Sequence, residues 1–197
     1  MTAVTLASTS ASRRTLLSQA GVTFEAGAPG VDEDMAKAAL LAEGATPREV
    51  ADALAELKAV RLSGRRQGLV IGADQTLDLG GVLMDKAADV DEARKHLVRL
   101  RGRPHKLHAA VVVAQDGRPI WRDLQTATLW MRDISDGFLE AYLQAHGQAV
   151  LSSVGCYHLE REGVQLFERI EGDYFTILGL PMLGLLDLLR RHGALAI

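Results

Sequence analysis

The sequence lacks the features that define several large classes of protein. Its 197 residues include a single cysteine, Cys156, which excludes an internal disulfide framework, and its Cys and His residues follow no metal-binding spacing. No apolar run is long enough to cross a membrane, and no apolar segment follows a basic start at the N-terminus. We therefore expect a soluble protein of the cytoplasm, without a signal peptide or a membrane partner.

The chain also lacks a large excess of charge of either sign. The formal net charge is -3, which gives no sign of a general affinity for nucleic acid or for membrane surfaces, so any anion-binding site must be local. Gly-x-Ser-x-Gly elbows, Walker-type phosphate loops and Gly-x-Gly-x-x-Gly fingerprints are absent as well. The most common catalytic motifs therefore do not reveal the chemistry of this chain.

The apolar content, 48% of the residues, is ordinary for a packed core, and no repeat or separable linker divides the chain. We expect one domain over residues 1–197, of mixed α/β class with a partly antiparallel sheet. Asp74 is predicted to end a buried strand, Gly147 to stop a helix, and Pro181 to begin the last helix. Periodicity predicts strands over residues 4–7, 68–73, 106–114 and 120–132, and a tight hairpin over residues 77–84. It predicts helices over residues 34–43, 47–62, 135–146 and 181–190, and two further helices that begin after residue 14 and at residue 89.

The first fourteen residues carry the strongest local signal. A short strand, 4–7, passes directly into Ser8-Thr9-Ser10-Ala11-Ser12-Arg13-Arg14 and then into a helix. Backbone N–H groups at the start of a helix attract anions, and arginine forks match phosphate oxygens, so this turn favours a phosphate chain. The alternative is that Ser10 or Ser12 only caps the helix and that the arginines are solvated.

Charged residues at the predicted ends of elements suggest a second part of the same site. Clustered carboxylates, here residues 32–34 and Asp74, can hold Mg²⁺ or orient a water, although residues 32–34 could simply complement a helix N-terminus. A carboxylate on a buried strand needs a partner, and Lys58 and Lys86 are the natural cations, unless both are surface lysines. His105 and His108 lack a ligand partner at useful spacing, so we interpret them as structural or solvated.

Several short blocks are spread over essentially the whole chain. They are Leu6-Ala7-Ser8-Thr9-Ser10-Ala11-Ser12-Arg13-Arg14, Val31-Asp32-Glu33, Lys58-Ala59, Ile71-Gly72-Ala73-Asp74-Gln75, Lys86, Leu100-Arg101-Gly102-Arg103-Pro104-His105, Leu166-Phe167-Glu168-Arg169-Ile170-Glu171-Gly172 and Gly179-Leu180-Pro181. Taken together, these blocks resemble the Maf family of nucleoside triphosphate pyrophosphatases, once called septum-formation inhibitors. The resemblance implies an elongated α/β fold related to that of inosine-triphosphate pyrophosphatase, with a mixed sheet flanked by helices and two lobes around a central cleft.

The resemblance also implies roles for particular residues. Asp74 would be the catalytic carboxylate, and Glu33 would join it in binding a divalent cation such as Mg, Mn or Co. Lys58 and Lys86 would act with Asp74 in catalysis. The reaction implied is hydrolysis between the α- and β-phosphates, and a homodimer is left open. Contacts with the triphosphate would come from Ser8, Ser10, Arg13, Lys58 and Lys86.

Base preference in the family follows three positions, which are Ser12, Gln75 and Glu160 in this chain. Gln75 and Glu160 favour the subgroup that acts on 7-methyl-GTP, whereas Ser12 lacks the aromatic ring that could stack on the base. Glu160 could accept hydrogen bonds from a guanine edge, or it could be a solvated loop residue. Ala11 and Ala87 replace two prolines that carry no chemistry. The alternatives are a pyrophosphatase of the dTTP/UTP type and a non-catalytic nucleotide-binding regulator of septum formation.

Overall fold

The computed structural model describes residues 2–196, and its strands form one mixed sheet. The order across the sheet is β2-β1-β3-β5-β6-β7, with β4 paired to part of β3. β1 is parallel to β2 and β3, and the other neighbours are antiparallel. The strands are β1 (Val4–Ala7), β2 (Glu25–Ala26), β3 (Leu69–Leu79), β4 (Val82–Met84), β5 (Pro104–Gln115), β6 (Arg118–Met131) and β7 (Phe167–Glu171).

Helices flank this sheet, which confirms the expected α/β class with a mixed sheet. The organisation into one domain with two lobes stays a prediction. Within residues 2–196, no helix combines the length and apolar character needed to cross a bilayer. The helices are α1 (Ala11–Gln19), α2 (Glu33–Ala42), α3 (Pro47–Ser63), α4 (Val90–Leu100), α5 (Asp136–Val150), α6 (Tyr174–Ile177) and α7 (Met182–Arg191), with a 3-10 turn over Glu162–Leu166.

Helix α3 packs unusually close to the centre of the sheet because the residues at the contact are small. Ala51, Ala55 and Ala59 are fully buried against β5. A Cβ atom on Gly72 of β3 would lie 2.2 Å from the Ala55 carbonyl oxygen, so a side chain there would push the helix away. Leu57 of the same helix lies away from this contact and is 38% exposed. The close approach brings the next turn of α3 directly over β3.

The long strand β3 joins the two largest apolar cores. Leu69 and Ile71 pack in one core with α1 and α7, whereas Leu77 packs in the other with α4 and α5. Polar residues 74–76 lie between these two sets, and the same strand therefore carries apolar packing on either side of a short polar segment. This arrangement holds the polar segment rigidly.

The structure corrects several predicted boundaries. Asp74 does not end its strand, because β3 continues to Leu79 and Asp74 pairs with Ala110 of β5 in the middle of the ladder. Gly147 does not stop α5 either. It is buried, and a Cβ atom there would lie 3.1 Å from Val90, so the glycine permits contact with the start of α4. Pro181 caps α7 rather than beginning it. Short elements β2, β7, α6 and the 3-10 turn were not predicted.

Candidate functional site

A cavity of about 560 Å³ opens between the β1–α1 turn, helix α2, strand β3, the segment after β4 and the loop over residues 152–160. Cavities of roughly 300–1,000 Å³ are usual for small-molecule sites. Every residue that the sequence assigned to catalysis, substrate or metal lines it: Ser8, Ser10, Ser12, Arg13, Glu33, Lys58, Asp74, Gln75, Lys86 and Glu160. Their individual roles stay predictions.

The turn between β1 and α1 is organised by hydroxyl groups and one buried arginine. Ser10 caps α1 by accepting a hydrogen bond from the Arg13 N–H, as the capping alternative expected. Arg13 is not solvated, however. Its Nη1 donates to Ser8 Oγ at 3.3 Å and its Nε donates to the Gly179 carbonyl oxygen at 2.8 Å. Burial lowers the pKa of Arg13, and the charges of Asp74 and Glu33 act in the opposite direction.

A lysine bridged by two carboxylates forms the floor of the cavity. Lys58 Nζ lies 2.7 Å from Asp74 Oδ1 and 2.6 Å from Glu33 Oε2. Asp74 therefore has the partner that its burial requires, and Lys58 is 4% exposed rather than a surface lysine. Lys86 is exposed at the cavity, and no ion pair of its own is found in the described part of the chain. It is free to meet a ligand.

The acidic segment before α2 combines both of the roles that the sequence left open. Asp32 caps α2 by accepting a hydrogen bond from the Met35 N–H at 3.0 Å. Glu33, in the first turn, reaches Lys58 at the cavity floor, while Asp34 pairs with Lys37 at 3.2 Å. The segment therefore complements a helix N-terminus and also contributes a carboxylate to the cavity.

The donor set suits a divalent ion only if the ligand brings further oxygens. Among residues 2–196, no three His, Cys, Asp or Glu side chains are grouped as a metal site. Glu33 and Asp74 each keep one carboxylate oxygen without a partner in that part of the chain. Mg²⁺ is commonly held by one or two carboxylates together with substrate phosphates and water. The two carboxylates fit that arrangement.

Gln75 serves a purpose that the sequence did not reveal. Its Nε2 donates to the carbonyl oxygens of Thr176 and Ile177, at 3.0 and 2.9 Å, and so ties α6 to β3. The following segment provides the Gly179 carbonyl that accepts from Arg13. Both amide hydrogens of Gln75 are therefore occupied by the protein itself. No local pattern pointed to this link, which spans about 100 residues of sequence.

The loop over residues 152–160 forms the rim of the cavity. Glu160 is exposed there, beside Ser152, Ser153 and His158. Ser152 Oγ and His158 Nε2 lie 3.0 Å apart, whereas Glu160 makes no hydrogen bond or ion pair with residues 2–196. Exposure agrees with the solvated-loop interpretation of Glu160, and its position at the cavity agrees with the base-recognition interpretation.

The two histidines near the start of β5 are structural. This was one of the two alternatives, structural or solvated, that the sequence left open. His105 is 1% exposed, and its Nε2 lies 2.7 Å from the Tyr157 hydroxyl, which borders the cavity. Burial lowers the pKa of His105 to about 4, so the ring is neutral near pH 7. His108 lies between Thr126 and Asp78. Neither histidine lines the cavity.

These features define an α/β protein whose charged cavity, built on a strand–helix turn, suits an anionic ligand of nucleotide size. The chain belongs to the Maf-like protein family, whose sequence profile matches residues 3–192. It is 65% identical over 197 residues, covering 100% of this chain and 99% of the relative, to a Caulobacter vibrioides protein named nucleoside triphosphate pyrophosphatase. It is 54% identical to a Hyphomonas neptunium protein of that name over 95% of both chains. It is 51% identical to a 7-methyl-GTP pyrophosphatase of Rhizobium meliloti over 96% of both chains.

Proposed function

We propose that this protein is a nucleoside triphosphate pyrophosphatase that hydrolyses the α–β phosphate bond and acts on modified nucleotides such as 7-methyl-GTP. The observation that carries the proposal is the cluster of Lys58, Asp74 and Glu33 beside the arginine-bearing turn. A buried cation and two carboxylates at one end of a nucleotide-sized cavity suit phosphoryl chemistry. The names of the relatives support the same reaction.

In the proposed reaction, water attacks the α-phosphorus, and the bond to the bridging oxygen breaks. The electron pair of that bond leaves with pyrophosphate, and the nucleoside monophosphate remains. Asp74 accepts the proton of the attacking water. Lys58, Lys86 and Arg13 stabilise charge on the leaving pyrophosphate and on the α-phosphoryl oxygens. A divalent ion held by Glu33 and Asp74 would supply further positive charge to the phosphates.

Base preference rests on the rim of the cavity. Glu160 lines the cavity, and a carboxylate suits the N1–H and amino groups of guanine, which supports a role in base recognition. The pyrimidine alternative keeps the same chemistry with a different base. The regulator alternative gives no physical reason for a buried lysine between two carboxylates. The location in the cytoplasm and the homodimer stay predictions.

A pyrophosphate-release assay across normal and methylated triphosphates tests the proposal. We expect release of one pyrophosphate and one nucleoside monophosphate per substrate, with 7-methyl-GTP cleaved faster than UTP or dTTP. Activity should disappear with a chelator and return with added Mg²⁺, Mn²⁺ or Co²⁺. Release of orthophosphate alone, or no turnover of any triphosphate, would contradict the proposed reaction. Faster cleavage of UTP would favour the pyrimidine alternative.

A further inference from the structure

Helix α2 borders the cavity and forms ion pairs there through Glu33 and Lys37. None of its residues is buried, although it contacts α3. Glu33 and Lys37 lie one turn apart, so both side chains project from one face of the helix. That face is turned to the cavity, since both residues line it. Glu33 pairs with Lys58 at the floor, and Lys37 pairs with Asp85 in the segment after β4.

The partner of Lys37 is a residue 48 positions further along the chain. Lys37 Nζ lies 2.5 Å from Asp85 Oδ1 and 3.2 Å from Asp34 Oδ1. Burial lowers the pKa of Lys37, but the hydrogen bonds and charges of Asp85 and Asp34 outweigh it and raise the pKa overall. The ammonium group is therefore a firm cationic link between α2 and the segment after β4.

The segment that Lys37 reaches also carries one of the proposed catalytic lysines. Asp85 follows β4 directly and precedes Lys86, which is exposed at the cavity without an ion pair among residues 2–196. Nothing else in the described chain pairs with the Asp85 carboxylate. The pair of Lys37 and Asp85 therefore anchors the backbone next to Lys86.

We propose that Lys37 is a positioning residue, which acts through Asp85 to hold Lys86 at the triphosphate. This inference rests on the proposed function. The ion pair is partly exposed, so its contribution to stability is small. Its effect on catalysis is larger, because a displacement of about 1 Å in a group that binds the substrate can lower the rate or the affinity substantially.

The consequence for kinetics is specific. Loss of the link weakens contact with phosphates that all substrates share, so the loss is the same for every base. It raises KM more than it lowers kcat, because Lys86 itself remains present and only its placement at the phosphates is loosened. Lys37→Met and Asp85→Asn remove the same link, and therefore the double variant should be no worse than the poorer single variant.

The test compares these three variants with the wild-type enzyme and with Lys37→Arg. We expect KM to rise roughly five- to tenfold in Lys37→Met and in Asp85→Asn, with kcat within about twofold. Lys37→Arg, which keeps the cation, should stay near wild type. Affinity for a triphosphate analogue with a non-hydrolysable α–β bridge should fall by the same factor. Arg94→Met is the matched control, because Arg94 pairs with Asp91 and Glu140 away from the cavity.

Additive losses in the double variant would overturn the inference, as would an effect confined to one base or an unchanged KM in Lys37→Met. A Lys37→Met substitution that loses activity together with its thermal transition would also contradict it, because the proposed role leaves stability nearly unchanged. Absence of turnover in the wild-type enzyme would overturn the proposed function instead. The affinity for the non-hydrolysable analogue would still decide the role of Lys37.

Discussion

The floor and the rim of the cavity are built in opposite ways. At the floor, Lys58, Asp74 and Arg13 are 4%, 8% and 9% exposed, and each is bonded to other parts of the protein. At the rim, Glu160 is exposed and has no partner among residues 2–196. The floor is therefore held by bonds within the protein, whereas the Glu160 side chain is left open to solvent or to a ligand.

Under the proposed function, this difference corresponds to the two halves of a nucleotide. The triphosphate is the same in every substrate, so a rigid and charged floor can serve them all. The base differs between substrates, and an exposed rim side chain such as Glu160 can be substituted without disturbing the fold. Changes at the floor should therefore alter rate and stability for all bases, and changes at the rim should alter the choice of base alone.

The largest effect on rate is expected for Asp74→Asn. Asparagine keeps the size of the side chain but cannot accept the proton of the attacking water, a loss of about 10²-fold or more in kcat. The circular dichroism spectrum should stay close to wild type and much of the affinity for the non-hydrolysable analogue should remain, which separates a chemical effect from misfolding. Turnover near the wild-type rate would remove Asp74 from the mechanism and weaken the assignment of the floor to chemistry.

Lys58→Met tests whether the floor is also a structural unit. It leaves Asp74 buried without its partner, and breaking such a pair costs about 3 kcal/mol of unfolding free energy. The turnover of every triphosphate, whatever its base, should also fall in this variant. Urea unfolding gives the measurement, and Arg66→Met is the control, since Arg66 pairs with Glu25 on the surface and its loss should cost about 1 kcal/mol or less. Equal losses in the two variants would mean that the buried bridge contributes no more than a surface pair.

Arg13→Ala and Lys86→Ala should each weaken binding of every triphosphate by about tenfold, with a lower rate and the same fractional loss across the bases. The structure adds a distinction between them. Arg13 also ties the turn to Gly179, so its loss should lower the thermal transition, while exposed Lys86 should leave it unchanged. Steady-state kinetics and a thermal melt of both variants check this. A loss confined to one base would place either side chain at the base instead.

The sequence predicts the floor better than the links around it. Burial of Asp74 could be inferred from the apolar residues before it, and a buried carboxylate requires a cation such as Lys58. The continuation of β3 beyond Asp74 could not be inferred from the sequence, because it depends on pairing with β5. The contacts of Arg13 with Gly179 and of Gln75 with α6 join residues more than 100 positions apart. Local periodicity contains no information about such pairs.

The smallest effect, Glu160→Gln, tests the rim. If Glu160 accepts hydrogen bonds from the N1–H and amino groups of guanine, the amide replaces one acceptor with a donor and removes a charge. Because the side chain is exposed, the loss is about 1 kcal/mol, so the selectivity for 7-methyl-GTP over UTP should fall roughly fivefold. Glu162→Gln is the control, since Glu162 is exposed two residues away and pairs with His146 outside the cavity. An unchanged ratio of kcat/KM values would leave Glu160 as a solvated residue and direct the search for base recognition to Ser12.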